Sequence, residues 1–346
     1  MLQRGISSFK GEQREMRINS RRDDDWEALE NALAQYWHPV ARSEEIDNKA
    51  VPITLLDQPL VLWRSRGQIA AFHDLCIHRG TPLSLGWLDG DQLVCAYHGW
   101  HYGVDGSCTR IPSLPAGHTI PTKARARVYH ARERYGLIWV CLDEPRAEIP
   151  VFPPEFNDPN YRWDVYSSEG QWKANAARMI ENLADFSHFP WVHPGILGDR
   201  EKPECEAVKI EPVEGGFQYE TEDGLNPFRS ESRARRLFTV ILPFMVMIQA
   251  WESGRTEHST KIYLCTPISS NETKFYRLAG RNYRDRRSDE ELNDRHRLIF
   301  EQDRVIVEAQ RPEELPLDLS EEFHLRGPDS TAVEYRRRLR DLVRRN

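Results

Sequence analysis

Two short pairs of metal-binding side chains, Cys76-Ile-His78 and Cys95-Ala-Tyr-His98, are the residues of this chain whose types and spacing most plainly could do chemistry. Sixteen residues separate them. Each pair puts one thiolate and one imidazole at the tip of one loop, so two stacked loops could grip a metal centre from both sides. Two thiolates and two neutral imidazoles suit a tetrahedral zinc ion. They suit a [2Fe–2S] cluster equally well, with both cysteines on one iron and both histidines on the other. Gly80 and Gly99 follow the two histidines, and glycine permits the sharp turn that brings amide N–H groups toward sulfur.

A second constellation follows downstream, Asn182-Leu-Ala-Asp185-Phe-Ser-His188 and then Phe-Pro-Trp-Val-His193. A helix is expected over about Asn175–Phe189, which would place Asp185 and His188 three apart on one face. Pro190 would end that helix and let His193 swing back from a loop. Two histidines and one carboxylate leave an octahedral ferrous ion three open positions on one face, enough for dioxygen and a nearby substrate. Taken alone, His-x4-His is a weak signal, since most such pairs are surface or satisfied core residues.

The flanking residues sharpen both readings. The first motif extends to Cys-x-His-Arg-Gly … Cys-x-x-His-Gly-Trp over 25 residues, Cys76 to Trp100, and it resembles the Rieske ferredoxin-like domain. Downstream of it, Asn182, Asp185, His188 and His193 match the pattern Asn-x-x-Asp-x-x-His-x4-His residue for residue. From about Tyr36 to Leu342 the chain is therefore similar to the α-subunits of the Rieske non-haem iron oxygenases. That resemblance implies a [2Fe–2S] cluster on Cys76, His78, Cys95 and His98. It implies a mononuclear iron on His188, His193 and an aspartate of a late helix, five residues before a glutamate. Asp303, followed by Glu308, fits that place, with Glu301 and Asp294 as rivals. Asp185 is then not a ligand but a carboxylate between His188 and His98 of a neighbouring subunit, carrying electrons across a C3 ring. Asn182 lies near the iron and is too weak a ligand to count. The ligand loops lack the additional cysteine that respiratory Rieske proteins join in a disulfide, which implies the lower-potential, oxygenase-type cluster.

The same resemblance implies the reaction. Electrons come from NAD(P)H through a separate flavin reductase, with or without a ferredoxin, because the chain has no GxGxxG and no plant-type ferredoxin cysteine set. The protein is expected to use them, with O2, to monooxygenate a small organic substrate, by hydroxylation or by O- or N-demethylation. Segments such as Glu133-Arg-Tyr-Gly-Leu-Ile-Trp-Val-Cys-Leu142 and His193-Pro-Gly are similar to the vanillate-, dicamba- and caffeine-type demethylases. Leu197-Gly-Asp-Arg200 leans toward the saxitoxin-pathway hydroxylases. A Rieske electron-transfer or redox-sensing protein is the rival class, and the intact second constellation argues against it.

The elements that must position these residues can be read in outline. In 346 residues, two domains are expected, in an α+β architecture. Residues 1–25 form a polar tail expected to be disordered, 26–148 an antiparallel β domain with a leading helix over Trp26–Tyr36, and 149–346 a catalytic helix-grip domain. Asp-Gly pairs at 89–90 and 105–106 mark hairpins in the first domain, and the Pro-rich stretch Glu144–Pro159 marks its end. The second domain is expected to carry strands over 206–213, 216–222, 236–251, 258–268 and 273–281, with a helix over about Ser288–Gln310. Its pocket should lie between the sheet from about 225 to 265 and the late helix. Phe228, Leu242, Phe244, Met247, Gln249 and Trp251 are candidates, of which strand alternation turns about half away.

Composition narrows the partners. A net charge of −7 leaves no footprint for nucleic acid, and no apolar run reaches the ~18 residues that span a bilayer. Cys108, Cys141, Cys205 and Cys265 have no paired spacing, and the N-terminus has no apolar signal core, so reduced thiols and the cytoplasm are expected. The arginine-rich segment Glu334–Asn346 carries Tyr335, Leu339, Leu342 and Val343 at helical spacing. It reads as a terminal helix with a solvated basic face, or else as a docking surface for an acidic electron donor.

Overall fold

The computed structural model describes residues 26–115, 117–205, 207–223, 234–252 and 256–344. The polar tail 1–25 and Phe228 lie outside them. The N-terminal half opens with helix α1 over 26–33, whose Leu29, Ala32 and Leu33 are fully buried. Ten strands follow, β1 (His38–Arg42), β2 (Val51–Leu55), β3 (Gln58–Ser65), β4 (Gln68–His73), β5 (Trp87–Asp89), β6 (Gln92–Val94), β7 (His101–Tyr102), β8 (Cys108–Arg110), β9 (Val128–Arg134) and β10 (Leu137–Cys141). They form a six-stranded sheet in the order β1-β10-β9-β4-β3-β2 and a four-stranded sheet β5-β6-β7-β8.

Local chemistry explains these hairpins. Arg66-Gly67 and Tyr135-Gly136 join β3 to β4 and β9 to β10 with positive φ at both positions, as two-residue turns that match strand twist demand. The Asp-Gly signals both fall at connections. Gly90-Asp91 links β5 to β6. The β7–β8 loop is closed by Asp105, whose Oδ1 accepts from the amide and the hydroxyl of Ser107.

The second half carries one seven-stranded antiparallel sheet in the order β11-β17-β16-β15-β14-β13-β12. Its strands are β11 (Arg162–Trp172), β12 (Glu211–Val213), β13 (Gly216–Asp223), β14 (Ala234–Ile241), β15 (Met245–Glu252), β16 (His258–Ser269) and β17 (Glu272–Arg281). The run expected as one strand over 236–251 is two, because Pro243 cannot donate to a ladder and the chain turns at 242–244. Helices α2 (Ala176–Ala184), α3 (Phe189–Val192), α4 (Asp289–Val307) and α5 (Ser330–Arg344) frame the sheet. Helix α4 starts on a capping box between Ser288 and Glu291, which satisfies two of the helix's orphan amides. Phe300 of α4 packs on Trp172, Tyr263 and Phe275, seating the helix on the sheet. No helix among the described residues is long and apolar enough to cross a membrane.

The C-terminal helix forms as expected, with one departure in its basic face. Tyr335, Leu339 and Leu342 of α5 are buried as their spacing requires, but Arg336 is buried with them. Its guanidinium grips Glu181 of α2 through two bonds of 2.6 and 2.7 Å and reaches Glu322 at 2.6 Å. Glu322 also accepts from Arg178 at 2.7 Å. Removing Arg336 takes the nearest cation from two half-buried carboxylates and leaves Arg178 to serve both. Arg336→Met is therefore expected to destabilise the protein by roughly 3–5 kcal/mol, measurable as a fall in the urea midpoint.

His38 sets an acid limit on stability. Its imidazole is buried and donates from Nε2 to the Leu33 carbonyl oxygen at 3.0 Å. Burial pushes it down to about 4. Between that value and an ordinary pKa near 6.5 the unfolded chain holds a proton that the folded chain lacks, so stability falls as pH drops through this window. Burial also lowers His258 and His296. The expected loss from His38 alone is about 3 kcal/mol between pH 6.5 and 4. His38→Gln should flatten the dependence of melting temperature on pH over that range.

Candidate active site

The two cysteine–histidine loops are built alike. Cys76 N–H donates to the Thr81 oxygen at 2.8 Å and Gly80 N–H to the Cys76 oxygen at 2.9 Å; Cys95 N–H donates to the Trp100 oxygen at 2.9 Å and Gly99 N–H to the Cys95 oxygen at 3.0 Å. Each loop closes on its glycine in the left-handed region, with φ of 72° at Gly80 and 65° at Gly99, where a side chain would be strained. Strand β6 stops at Val94 for this reason.

Both cysteines are buried, whereas His98 stands exposed and His78 half-exposed. The two imidazoles meet edge to face at 4.5 Å, and Trp100 stacks on His78 at 4.5 Å. Tyr102 shares a 3.1 Å hydrogen bond with the Cys76 sulfur. Burial pushes the Cys95 thiol up, while the amides of Tyr97 and His98 favour its thiolate. His78 Nδ1 is buried without a hydrogen-bond partner, as an atom reserved for a metal would be. Among the described residues only His188, His193 and Asp303 bring three metal-binding atoms within 4.8 Å of one another. The cysteine–histidine quartet does not converge on one point, as a tetrahedral zinc would demand. Two donor pairs on two irons need no such convergence.

The second constellation is assembled from three elements. Helix α2 ends at Ala184, earlier than its sequence suggests, because Asp185 turns extended with φ −95° and ψ 133°. Asp185 Oδ1 accepts from the amide and hydroxyl of Ser187 at 2.7 and 2.6 Å, a local turn that competes with the helix. Asp185 and His188 consequently meet across a turn rather than along a helical face. His188 caps α3, Pro190 falls in that helix's first turn instead of ending α2, and His193 closes α3. Asp303 comes from α4 and is buried.

His193 Nε2 lies 3.0 Å and His188 Nε2 3.4 Å from Asp303 Oδ1. His193 Nε2 and Asp303 Oδ1 are nevertheless buried without an aligned hydrogen bond. Donors this close that do not satisfy each other point to a common position outside both. The rival carboxylates face elsewhere: Glu301 pairs with Arg304 and Asp294 with Arg297, both on the exposed side of α4.

The far nitrogens of both imidazoles are held. His188 Nδ1 lies 3.1 Å from Asp185 Oδ2, and His193 Nδ1 2.9 Å from Gln302 Oε1. Those oxygens only accept, so each Nδ1 donates its proton to them, and each Nε2 is the nitrogen that would offer its lone pair to a metal at the common position. Burial pulls the His188 pKa down, yet Asp185 and Asp303 outweigh it and hold the imidazole up at about 9. Burial likewise pushes the Asp303 carboxyl up, and His188 and His193 more than reverse it. Such a site favours a cation.

Comparison with known proteins agrees with this geometry. Residues 36–127 match the Rieske [2Fe-2S] domain and residues 172–345 the vanillate O-demethylase oxygenase C-terminal domain. Methylxanthine N1-demethylase NdmA of Pseudomonas putida is 32% identical over 90% of this chain and 89% of its own length. The chain belongs to the Rieske non-haem iron oxygenases. The structure of Pseudomonas putida CBB5 NdmA with caffeine superposes with a TM-score of 0.83 at 29% identity, covering 92% of this chain and 93% of that one. Dicamba monooxygenase bound to dicamba, at 24% identity, 90% and 98% coverage and a TM-score of 0.75, shares the fold.

As a Rieske oxygenase, the chain is a terminal component that uses dioxygen and electrons delivered by a separate reductase, and its cofactors are a [2Fe–2S] cluster and a mononuclear iron. Its fold is the α+β pairing of an N-terminal Rieske β domain with a following catalytic domain. Among the described residues, no hydrogen bond or ring contact joins the cysteine–histidine loops to Asp185 or the His188–His193–Asp303 group.

Sequence reading missed Gln302 altogether. Its one signal was adjacency to Asp303, which says nothing about facing His193. Gln302→Ala is expected to weaken ferrous iron binding by ~10–100-fold, read by titration of the metal-depleted protein.

The pocket also differs from its expected lining. A cavity of about 490 Å³ lies between the sheet and α4, and of the five candidates among the described residues only Trp251 borders it. Phe244 belongs to the core. Met247 packs on the opposite sheet face, where Gln249 donates to Glu155 at 2.8 Å. Leu242 sits in the turn before β15 and packs on the core.

Proposed function

We propose that this oxygenase inserts one oxygen atom into a C–H bond of a small organic substrate, giving an alcohol or, where the carbon is an O- or N-methyl group, releasing formaldehyde. The convergence of His193 Nε2 and Asp303 Oδ1, buried and unsatisfied beside His188, carries this reading. We assign the mononuclear iron to His188, His193 and Asp303 and the cluster to Cys76, His78, Cys95 and His98. Iron held there supplies dioxygen activation. The chain's own residues orient both imidazoles through Asp185 and Gln302 and keep bulk water from the group by burial.

The same reading divides the chain into 26–148, carrying the cluster, and 149–346, carrying the iron; the change of sheet between β10 and β11 supports that division. It makes Asp185 the electron bridge from a neighbour's His98 in a homotrimer. The exposure of His98, of Ile77, Trp87 and Tyr97 around it, and of Trp191 beyond Asp185 supports a contact between copies here. An NAD(P)H-dependent flavin reductase, with or without a ferredoxin, is the assigned donor. The four cysteines outside the cluster, none of them in a disulfide, support the cytoplasm as the compartment.

The test is a product mass screen with iron-replete protein, a surrogate flavin reductase and NADH. Methoxy-aromatics, N-methyl heterocycles, alkaloids and steroids are pooled. A gain of one oxygen signals hydroxylation, and loss of a methyl with formaldehyde signals demethylation. A red, reducible protein that binds no iron beyond its cluster and yields no product would be an electron carrier instead.

A further inference from the structure

The outer face of the seven-stranded sheet, opposite α4, gathers a second set of ligand-type side chains. Gln249 of β15 and His258 and Thr260 of β16 share that face with Met247, Ile262 and Leu278, because strand alternation turns them all to one side. Strand pairing brings them together, with Gln249 opposite Thr260 and Trp251 opposite His258. Glu155 reaches the same place from the Pro-rich connection between the two halves, where Pro154–Asn157 forms a short 3-10 turn. Its Oε1 accepts from Gln249 Nε2 at 2.8 Å and lies 3.5 Å from His258 Nδ1.

Aromatic rings cover the place. Trp251 stacks on the His258 imidazole at 4.6 Å, and Tyr161 meets it edge to face at 5.7 Å with its hydroxyl on Nδ1. Trp163 lies on Gly280, where a Cβ would come within 2.5 Å of the indole, and its Nε1 donates to the Glu155 carbonyl oxygen at 3.0 Å. Gly280 pairs with both Trp163 and Thr260, which sets that ring beside the group. Under this cover Glu155 Oε2, His258 Nε2 and Thr260 Oγ1 are all buried with no hydrogen-bond partner. His258 is only 7% exposed and Thr260 is fully buried. A buried carboxylate oxygen left unpaired is the costliest of the three. Burial lowers the His258 pKa, so its imidazole is neutral at pH 7. Among the described residues no other basic side chain lies within ion-pair distance of Glu155.

A divalent cation would satisfy all three atoms, since it takes an imidazole nitrogen, a carboxylate oxygen and a hydroxyl oxygen together. A water would leave the charge of Glu155 uncompensated. The imidazole is already held from behind, as His188 and His193 are: Nδ1 faces the Tyr161 hydroxyl and Glu155 Oε1, so Nε2 is the nitrogen left free.

We propose that Glu155 Oε2, His258 Nε2 and Thr260 Oγ1 hold a divalent cation of the zinc type, a metal centre separate from the cluster and the iron. Its role is structural. Asp303 and α4 lie on the opposite face of the sheet, whereas Phe156, next to Glu155, packs on Tyr135 of the β9–β10 turn and on Phe152. The cation pins the connection between the halves to the catalytic sheet.

Metal analysis of the full-length, iron-replete protein tests this after equilibration with a small excess of Zn2+ and gel filtration. About one zinc per chain is expected to stay with the wild type. Glu155→Gln and His258→Gln should each lose it while keeping their iron. Zinc should raise the wild-type melting temperature by about 3 °C or more and leave both variants unmoved. Equal zinc in the wild type and both variants, or none retained by the wild type, overturns the proposal. A second measurement needs no variant. In crystals of the zinc-equilibrated wild type, anomalous scattering at the zinc edge should peak about 2.0–2.2 Å from Glu155 Oε2 and His258 Nε2. Density at that point without an anomalous signal would be a water, and would also overturn it.

Discussion

Asp303→Ala should keep the red-brown cluster and lose the oxygen chemistry. Metal analysis is expected to fall to about two irons per chain, those of the cluster, with product formation reduced on the order of 10³-fold or more. The physical reason is the geometry of the triad. Asp303 Oδ1 lies 3.0 Å from one imidazole nitrogen and 3.4 Å from the other, and it brings the only anionic donor of the three. Without it, two neutral imidazoles face a divalent ion in a site where burial is costly for charge. Glu301→Ala and Asp294→Ala are the controls, because those carboxylates pair with Arg304 and Arg297 and face away. Both should keep the third iron. Loss of iron in either control with retention in Asp303→Ala would reassign the ligand.

Asp185→Asn is expected to separate the two metals without displacing either. The amide can still accept from Ser187, but it no longer offers a carboxylate to His188 Nδ1, now 3.1 Å away. Steady-state turnover should fall on the order of 100-fold. Iron content and the cluster spectrum stay unchanged, and a pre-reduced cluster fails to reoxidise when substrate and dioxygen are mixed in. A second experiment asks whether the route crosses between chains. Co-assembly of Asp185→Asn with a cluster-deficient Cys95→Ser chain pairs an intact cluster with an intact Asp185 only across an interface. Recovered activity in that mixture supports the inter-subunit path; a mixture as inactive as its two parents contradicts it.

The residues behind these two predictions were legible in the sequence to different degrees. The ligand loops were legible because their information is local. Cys76 to Gly80 and Cys95 to Gly99 are each one turn of backbone, so residue spacing is nearly the geometry. His188 and His193 were legible for the same reason. The helix expected through Asp185 was misjudged because periodicity does not register the Ser187 turn that competes with it. Arg336 was read as solvated because a helix's arginines look alike until a partner such as Glu181, 155 residues away, chooses one.

From its sequence alone, the protein is a Rieske oxygenase with a leading β domain and a following α+β catalytic domain, since ligand identity, short spacing and turn residues are carried by adjacent atoms. Tertiary structure alone decided that four cysteine and histidine donors do not meet at one ion, and that Gln302 is the residue that orients His193. It also decided that basic residues from β14, β16, β17 and α4 share one cavity. Those facts depend on strand register and on the seat of α4 upon the sheet, which bring together side chains that the linear chain holds tens of residues apart.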